Sequence, residues 1–311
     1  MTILGYHRFQ AWKVYKEDGE DLNKVFTFGF ELEVTIISSN QIRKTPEQLA
    51  TTLQTKFGEL FVYERDSSIG QGVEIISNPM TWKYFVNHLD LFRDLLKTCI
   101  DSGFDSHNGN RCGLHVHIGR QSLQGKDFHD DSIRESKVIA NINFILEWFR
   151  DDIFKFSRRT QYTFDRWSRN RTSLIPVGND NNLFIDKEEI KRINSYDTSN
   201  RYFMLNLTNN KTIEFRFLRG TLKWETFFIS MNFIKNIVEQ SRISNNAISL
   251  KQLLMYELND ELKQYCVEYC TQRGIELETD NRIIFLENVK QNQCQMQDTN
   301  YLDLANSILD E

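Results

Sequence analysis

The sequence predicts an α+β fold, built on an antiparallel β-sheet with helices on one face. Two features of the chain predict it. Several segments in the first two thirds alternate apolar and polar residues with a period of two, as strands with one buried face do. The segments between and after them carry helical periodicity and capping residues. Because antiparallel sheets commonly bury one face and leave the other polar, this pattern suits that kind of sheet.

The first strand is predicted at residues 26–36, FTFGFELEVTI, where apolar side chains occupy every second position. A helix is expected at residues 46–57, since Thr45 is a good N-cap, Pro46 suits the first helical position and Gln48 completes a capping box. Further strands are predicted at residues 60–63, 73–77, 112–118, 201–207 and 212–218. Further helices are predicted at residues 82–100, 133–156, 224–240, 250–254 and 261–273.

Residues 157–200 are polar and rich in Arg and Asn, which predicts irregular structure with one short helix near residues 187–193. The pair Asn209-Asn210 predicts a tight hairpin, because Asn tolerates positive φ. After Lys223 the pattern is helical throughout and ends in a helical or loosely packed tail. With three prolines and no internal repeat, we expect one domain, with a core at residues 1–222 and a helical C-terminal part at residues 223–311.

Composition narrows the functional class. The net charge of −5 disfavours general nucleic-acid binding, which depends on phosphate neutralisation. Five cysteines without a CxxC pair predict free thiols in a reducing cytosol. The chain has no apolar run long enough for a transmembrane helix, and its first residues do not resemble a signal peptide. We therefore expect a cytoplasmic protein without a membrane partner, and homo-oligomer formation stays open.

Acidic and histidine side chains recur on the polar faces of the predicted strands. Glu31 and Glu33 are two residues apart, so both point to the same face, and His115 and His117 in CGLHVHI do the same. Each pair also has a purely structural explanation. The carboxylates could lie on a solvated sheet face, and the histidines could be hydrogen-bonded surface residues. An HxH strand is equally a common way to aim two imidazoles at one metal ion or phosphate.

Two more strands repeat the pattern, with Glu214 beside Arg216 in TIEFRFL, Glu74 in VEIIS, and Asp66 in the loop before the latter. By itself, Glu214 beside Arg216 could be a salt bridge that contributes little when exposed. A single sheet face that carries all these groups would concentrate negative charge and would need cations to neutralise it. Carboxylate-rich sites suit Mg²⁺ or Mn²⁺, and a histidine ligand leans towards Mn²⁺.

Arginines are frequent from the strand that carries His115 and His117 to the last strand: Arg158, Arg159, Arg166, Arg169, Arg171, Arg201, Arg216 and Arg219. Guanidinium groups together with divalent metal stabilise a phosphoryl group in transfer. A solvated loop is the alternative explanation for residues 158–171. Together, the two sets of residues predict a site for divalent metal and nucleotide phosphates.

The segments GFELE, DSSIGQGVEI, NGNRCGLHVHIG, RYFMLNL and TIEFRFLRGT occur in this order within residues 26–221. In this order they resemble the amidoligase family of the carboxylate–amine ligase superfamily, which includes glutamine synthetase and glutamate–cysteine ligase. The resemblance implies a glutamine synthetase-like catalytic fold, whose concave sheet face holds two or three Mg²⁺ or Mn²⁺ ions and ATP.

The resemblance also implies roles for individual residues. The implied metal ligands are Glu31, Glu33, Asp66, Glu74, His115 and Glu214. The implied nucleotide- and substrate-binding residues are His117, Arg158, Arg159, Arg201, Asn206, Arg216 and Arg219. Among these, catalytic roles are implied for His117, Arg201 and Arg216. Residues after 221 match no motif.

The implied activity is an ATP-dependent ligation in two steps. A substrate carboxylate attacks the γ-phosphate of ATP to give an acyl phosphate, and an amine then displaces phosphate to form an amide. Phosphorylation supplies the leaving group that a carboxylate lacks, and metal ions shield the repulsion between the two anions. The sequence identifies neither partner, so small-molecule and peptide carboxylates and amines all remain candidates.

Two other classes of protein are compatible with these residues. One is a non-ligase metalloenzyme, either a hydrolase or a non-haem iron enzyme with two histidines and a carboxylate. A cupin-type site would want a Glu a few residues after HxH, and GRQS follows here instead. The other is a non-catalytic binding or structural protein on the same scaffold. Nucleotide consumption separates the ligase from both.

Overall fold

The computed structural model describes residues 3–5, 13–22, 24–37, 44–107, 111–124, 131–169, 201–243, 247–277, 280 and 282–285. The helix predicted near residues 187–193 and the predicted C-terminal tail beyond residue 285 lie outside these ranges, as do Arg171 and Cys294. The four described cysteines, Cys99, Cys112, Cys266 and Cys270, are free thiols, as predicted.

An antiparallel sheet of eight strands organises the described chain. Its strands are β1 (Thr27–Ile36), β2 (Phe61–Glu64), β3 (Gly72–Ser77), β4 (Met80–Thr81), β5 (Phe104–Asp105), β6 (Gly113–Gly119), β7 (Leu205–Asn206) and β8 (Thr212–Arg219). The order across the sheet is β2-β3-β1-β6-β8-β7, and β4 and β5 pair with the two ends of β1. The long first strand is therefore central, with the predicted histidine strand β6 beside it. The prediction of a mixed fold with an antiparallel sheet and helices is confirmed.

The helices are α1 (Pro46–Phe57), α2 (Trp82–Asn87), α3 (Leu89–Asp101), α4 (Gln121–Gln124), α5 (Asp131–Trp148), α6 (Arg150–Ser157), α7 (Gln161–Trp167), α8 (Trp224–Ile243), α9 (Leu250–Met255) and α10 (Asp260–Thr271). The capping box predicted for α1 is present, since Thr45 accepts a hydrogen bond from the Gln48 amide and the Gln48 side chain accepts one from the Thr45 amide. None of the described helices is long and apolar enough to cross a membrane.

One face of the sheet is the hydrophobic core. The Phe30 ring on β1 meets Phe92 of α3 at a centroid distance of 6.2 Å and Phe227 of α8 at 5.3 Å. Phe28 meets Phe85 of α2 edge-on at 5.7 Å. Rings buried in this way contribute most of the apolar area and pack best in tilted or edge-to-face pairs. The alternation of β1 is thereby explained, because every second side chain enters this layer.

Two predicted helices are each interrupted once. The helix predicted at residues 82–100 is α2 and α3, because His88 leaves helical geometry with φ −121° and ψ 30°. The His88 ring stacks on Tyr84 at 4.0 Å. The helix predicted at residues 133–156 is α5 and α6, separated by Phe149 with φ −101° and ψ 21°. Phe149 is fully buried, so the break turns its ring into the core.

The connection between β7 and β8 differs from the prediction. Neither Asn209 nor Asn210 has a positive φ, so the tight-hairpin explanation was wrong. The loop is longer, and its turns are made by side chains. Asn206 Oδ1 accepts from the Thr208 amide at 3.0 Å, and Asn209 Oδ1 accepts from the Lys211 amide at 2.8 Å. Asn favours such turns through its side-chain acceptor as well as through its backbone freedom.

Two other predictions need correction. Residues after Lys223 are not helical throughout, because β9 (Ala247–Ser249) and β10 (Ile283–Phe285) form a separate two-stranded antiparallel sheet. In the segment predicted to be irregular, α7 is a helix with Thr160 as its N-cap. Residues of α7 line the cleft on the polar side of the sheet, so the helices do not all lie on one face.

Candidate functional site

The polar face of the sheet forms the floor of a cleft of about 1440 Å³. Glu31 and Glu33 of β1, Glu74 of β3, His115 of β6 and Arg216 of β8 all line it. Asp66 reaches it from the short 3₁₀ turn between β2 and β3, where its side chain also accepts from the Ser68 amide at 2.7 Å. The acidic and histidine residues predicted on separate strands therefore meet on one surface.

Strand register explains how they meet. Glu31 lies opposite His115 of β6, and Glu33 lies opposite Glu74 of β3. On β8, Glu214 lies opposite His117. Directly opposed residues in an antiparallel pair share a face, with Cβ atoms about 5 Å apart. Glu64 of β2, which the sequence prediction did not single out, lies opposite Glu74 and extends the acidic row to the next strand.

Three overlapping triads on the polar side of the sheet each bring their ligand atoms within 4.8 Å of one another, although His117 and Glu214 are not among the residues that line the cleft. We call Glu31, His117 and Glu214 the histidine half, and Glu33, Asp66 and Glu74 the carboxylate half. The third triad, Glu31, Glu74 and His115, bridges the two. Glu31 and Glu74 each belong to two triads, so a single floor could hold more than one cation.

The histidine half contains its own positive charge. His117 Nε2 lies 3.0 Å from Glu31 Oε1, and His117 Nδ1 lies 3.2 Å from the Thr212 hydroxyl. Arg216 Nη1 pairs with Glu214 Oε1, and both side chains are buried. His115 Nδ1 stands between the two carboxylates, 3.3 Å from Glu31 Oε2 and 3.5 Å from Glu214 Oε1.

The neighbouring charges set the protonation of this half. Burial would raise the pKa of Glu31, but His117 and His115 outweigh it and hold that pKa well below its usual range. Burial acts likewise on Glu214, and Arg216 with the histidines lowers its pKa. Burial disfavours charge on His117, yet Glu31 raises the pKa of His117 to about 8. For His115, burial and then Arg216 lower the pKa, which keeps its imidazole neutral and available as a ligand.

The carboxylate half lacks this compensation. Burial, and then the charges of Glu31, Glu33 and Asp66, raise the pKa of Glu74 to about 10. Burial raises the pKa of Glu33 to about 7, although Glu33 Oε2 accepts a 2.5 Å hydrogen bond from the Gly113 amide and lies near Arg159. Three carboxyl groups so close together cannot all ionise unless a cation joins them. Their oxygen donors and the neighbouring imidazole fit Mg²⁺ or Mn²⁺.

A β-bulge positions the arginines of β8. Leu114 pairs with Leu218 and Val116 with Phe215, so β8 carries one residue more than β6 across this step. The buried Arg159 side chain donates to the carbonyls of Arg216, Phe217 and Leu218 at 3.0–3.1 Å. Arg159 thus holds the bulge.

Gly113 makes room beside the bulge. A Cβ atom at this position would stand 2.7 Å from His115 Nε2 and 2.8 Å from Arg159 Nη2. A side chain here would displace both groups, so the close approach of the histidine and the arginine requires glycine.

The other predicted nucleotide-binding residues divide between two places. Arg201 and Arg216 line the cleft, and Arg216 Nε is buried with no acceptor among the described residues. Asn206 donates to Glu214 Oε2 at 2.6 Å and accepts from Thr208, so its amide orients the carboxylate. Arg158 and Arg219 line a different, smaller pocket beside His107.

The cleft also contains residues that were not predicted. Its lining includes the cationic side chains Lys44, Arg65 and Arg111 and the aromatic side chains Tyr162, Trp167 and Tyr202. Arg65 directly precedes Asp66, and Arg111 shortly precedes the HxH strand, so their positions next to predicted ligands were the available signal. Trp167 and Tyr202 are adjacent, with ring centroids 5.2 Å apart, although 34 residues separate them in the sequence. Periodicity has no means of finding such a pair.

Comparison with known proteins adds little to this description. No family model matches the chain, and neither does any curated protein. A solved structure of a bifunctional glutathione synthetase from Pasteurella multocida matches with a TM-score of 0.39 and 11% identity. The match covers 82% of this chain and 45% of that one, so the chain spans less than half the length of that protein. A likeness this remote assigns neither a fold nor an activity to the chain.

Proposed function

We propose that the protein is an ATP-dependent carboxylate–amine ligase that uses Mg²⁺ or Mn²⁺. The observation that carries the proposal is the set of three overlapping Glu, Asp and His triads on the polar sheet face, two of which line one cleft with every member. Enzymes that transfer phosphoryl groups stabilise the charge of the transferring group with adjacent metal ions and with arginines. We also propose that the chain belongs to the amidoligase family and has its glutamine synthetase-like catalytic fold, on the motif order given above.

The three triads indicate which residues would bind metal ions. Glu31, Glu33, Asp66, Glu74, His115 and Glu214 are the proposed ligands, and His117 completes the histidine half. When bound, divalent ions would neutralise the triphosphate, so that a second anion could approach its terminal phosphorus. Glu74 gives this assignment its strongest support. Burying a carboxyl among other carboxyls costs the fold stability when no cation is bound, and burial keeps Glu74 protonated near neutral pH.

The arginines supply the other half of the site. Arg216 is buried beside Glu214 and keeps Nε free of any described acceptor, so this donor is available to a phosphate or carboxylate oxygen. Arg201 lines the same cleft and is proposed to bind the phosphate or the acyl substrate. Asn206 acts through Glu214, whose orientation it fixes, and is therefore a positioning residue.

The proposed reaction balances in two steps. An oxygen of the substrate carboxylate attacks the γ-phosphorus as the bond to the β-phosphate oxygen breaks, giving an acyl phosphate and ADP. The amine nitrogen then attacks the acyl carbon, the carbon–oxygen bond to phosphate breaks, and the nitrogen loses a proton. The guanidinium groups would bind the phosphoryl oxygens in both steps, and the cleft walls would exclude water from the acyl phosphate.

The test is phosphate release from ATP with Mg²⁺ or Mn²⁺ across a pool of carboxylic acids and amines. We expect release that requires both an acid and an amine, and a loss of at least about 100-fold in Glu74→Gln, because one metal carboxylate is gone. Glu261→Gln is the matched control, since Glu261 is exposed on α10 and lies outside the cleft lining.

Each failure has a distinct meaning. Release that needs an acid but no amine would indicate an uncoupled or phosphatase-like enzyme. Metal binding without any nucleotide binding, measured by calorimetry, would overturn the ligase and favour the hydrolase or iron-enzyme alternative. The absence of both metal and nucleotide binding would point to the non-catalytic alternative.

A further inference from the structure

One side of the cleft is aromatic. Tyr162, Arg166 and Trp167 of α7 line it together with Tyr202, in the segment before β7, and we call these four residues the aromatic wall. Tyr162 is 68% exposed and Tyr202 is 38% exposed, so two large rings of the cleft lining are open to solvent. None of the four residues belongs to a triad. Large aromatic side chains left exposed together in a cleft mark a surface for a ligand.

The aromatic wall is held together across two separate parts of the chain. The rings of Trp167 and Tyr202 meet edge to face, with centroids 5.2 Å apart. Two backbone hydrogen bonds join the segments behind them. The Arg169 amide donates to the Tyr202 carbonyl at 3.1 Å, and the Met204 amide donates to the Arg169 carbonyl at 3.1 Å. The rings are therefore placed before any ligand arrives, which lowers the entropic cost of binding.

Arg166 adds a planar positive charge to the aromatic wall. The central carbon of its guanidinium lies 4.6 Å from the centroid of the Trp167 ring and 5.9 Å from that of the Tyr162 ring. Arg166 Nη1 donates to the Tyr162 hydroxyl at 2.7 Å, and no carboxylate among the described residues pairs with this arginine. A guanidinium stacks on flat π systems as aromatic rings do, so the three side chains offer one continuous stacking surface.

The aromatic wall adjoins the arginines proposed to bind phosphate. Arg201 directly precedes Tyr202, and its guanidinium carbon lies 5.7 Å from the centroid of the Tyr202 ring. Two residues after Tyr202, the Met204 carbonyl accepts from the Arg216 amide at 2.8 Å. A ligand with phosphates on Arg201 and Arg216 therefore has its remaining part beside the aromatic wall. The cleft of about 1440 Å³ exceeds the roughly 300–1,000 Å³ of sites for one small ligand, so it has room for a whole nucleotide.

We infer that the aromatic wall binds the base of the nucleotide by stacking. The inference rests on the proposed function, since it concerns the nucleotide that the reaction consumes. Every base has a π-face, and proteins bind unpaired bases on aromatic rings and on guanidinium planes. No segment that carries the amidoligase resemblance includes α7, so Tyr162, Arg166 and Trp167 are assigned from the structure alone. An aromatic acid or amine is the other ligand of suitable shape, and the test separates the two.

The test is calorimetric titration of the full-length protein, saturated with Mn²⁺, with ATP and with methyl triphosphate, which carries the same charge but no base. Tyr162→Ala removes one exposed ring. It should weaken ATP binding at least about fivefold, because the stacking of one base is lost, and leave methyl triphosphate binding unchanged. Trp167→Leu, which keeps an apolar side chain but no flat ring, should show the same selective loss. Tyr162→Phe keeps the ring and should bind ATP as wild type does.

Tyr256→Ala is the matched control, because Tyr256 is 51% exposed and lies outside the cleft lining. It should bind both ligands as wild type does. Equal affinity of wild type for the two ligands, or an equal loss of both in Tyr162→Ala, overturns the inference and leaves the ligase proposal standing. Unchanged ATP binding in Tyr162→Ala with a raised KM for an aromatic acid or amine also overturns it and assigns the wall to the substrate. If wild type binds neither ligand, the proposed function fails and the inference fails with it.

Discussion

The two halves of the acidic floor are built from similar carboxylates but differ in their counter-charges. In the histidine half, Glu31 lies 3.0 Å from His117, and Glu214 pairs with Arg216. In the carboxylate half, Glu33, Asp66 and Glu74 share one site, and the pKa of Glu74 rises to about 10. The histidine half is therefore charged and internally neutralised without metal, whereas the carboxylate half stays partly protonated until a cation replaces its protons.

The sequence pattern predicts one acidic cluster, but its carboxylates have two different roles, fold stabilisation and cation binding. A carboxylate in the histidine half stabilises the fold through its buried partner, and its removal leaves that partner uncompensated. In the absence of metal, a carboxylate in the carboxylate half destabilises the fold, and its main contribution is to cation binding. Substitutions at matching positions in the two halves should therefore change stability in different directions.

The largest effect on stability is expected for the substitution Glu214→Gln. It leaves Arg216 buried without its counter-charge, so the free energy of unfolding of the metal-free protein should fall by about 3 kcal/mol. Glu74→Gln should be at least as stable as wild type at pH 7, because glutamine resembles the protonated acid already present. Urea unfolding in EDTA measures both. Equal destabilisation by the two substitutions would remove the distinction between the halves.

Per pH unit, the change in the stability of the metal-free protein should come next in size. Folded Glu74 keeps its proton up to about pH 10 while the unfolded chain releases it near its usual pKa, so the folded state binds more protons across this window. Stability is then highest near pH 5 and falls by about 1.4 kcal/mol per pH unit for one such carboxyl. Glu33, with a pKa of about 7, and His117, with a pKa of about 8, act with the same sign.

Urea unfolding at several pH values between about 5 and 9 tests this slope. Below this range the lowered pKa values of Glu31 and Glu214 oppose it, because their contribution is lost as they become protonated. Glu74→Gln should reduce the slope of stability against pH by about 1.4 kcal/mol per pH unit, the contribution of one proton. Glu261→Gln should leave the slope unchanged. A wild-type stability that rises from pH 5 to pH 9 would contradict the account.

The smallest effect on stability is expected for Asp66→Asn. Asn caps the Ser68 amide as well as Asp does, so the free energy of unfolding should change by less than about 0.5 kcal/mol. Removing one charge from the carboxylate half should still weaken Mn²⁺ binding, which calorimetry on the same sample measures. Unchanged Mn²⁺ affinity would exclude Asp66 from the metal site.

Much of the floor could be predicted from strand periodicity. A period of two assigns Glu31, Glu33, His115 and His117 to polar faces before any partner strand is known, and antiparallel pairing then brings them together. The same reasoning applied to β2 would have found Glu64, had the strand been extended by one residue to its observed end. These features depend only on local sequence and on the regular geometry of a sheet.

Features that depend on irregular geometry could not be predicted. The extra residue in β8 sets where Arg216 and Arg219 point, and nothing in TIEFRFLR signals a bulge. The left-handed conformation of Arg158 turns it towards His107 while the next residue, Arg159, turns to the bulge, so two adjacent arginines serve different places. Loop positions brought Arg65 and Arg111 to the cleft, and such contacts follow from the tertiary fold alone.

The most direct test of the account is a Mn²⁺ titration of the wild-type protein at pH 7, in two buffers with different ionisation enthalpies. Because the carboxylate half holds protons before the cation enters, binding should release about one proton or more, and Glu74→Gln should reduce this release by about one. Mn²⁺ binding without proton release, or no Mn²⁺ binding at all, would contradict the claim that the carboxylate half is a cation site.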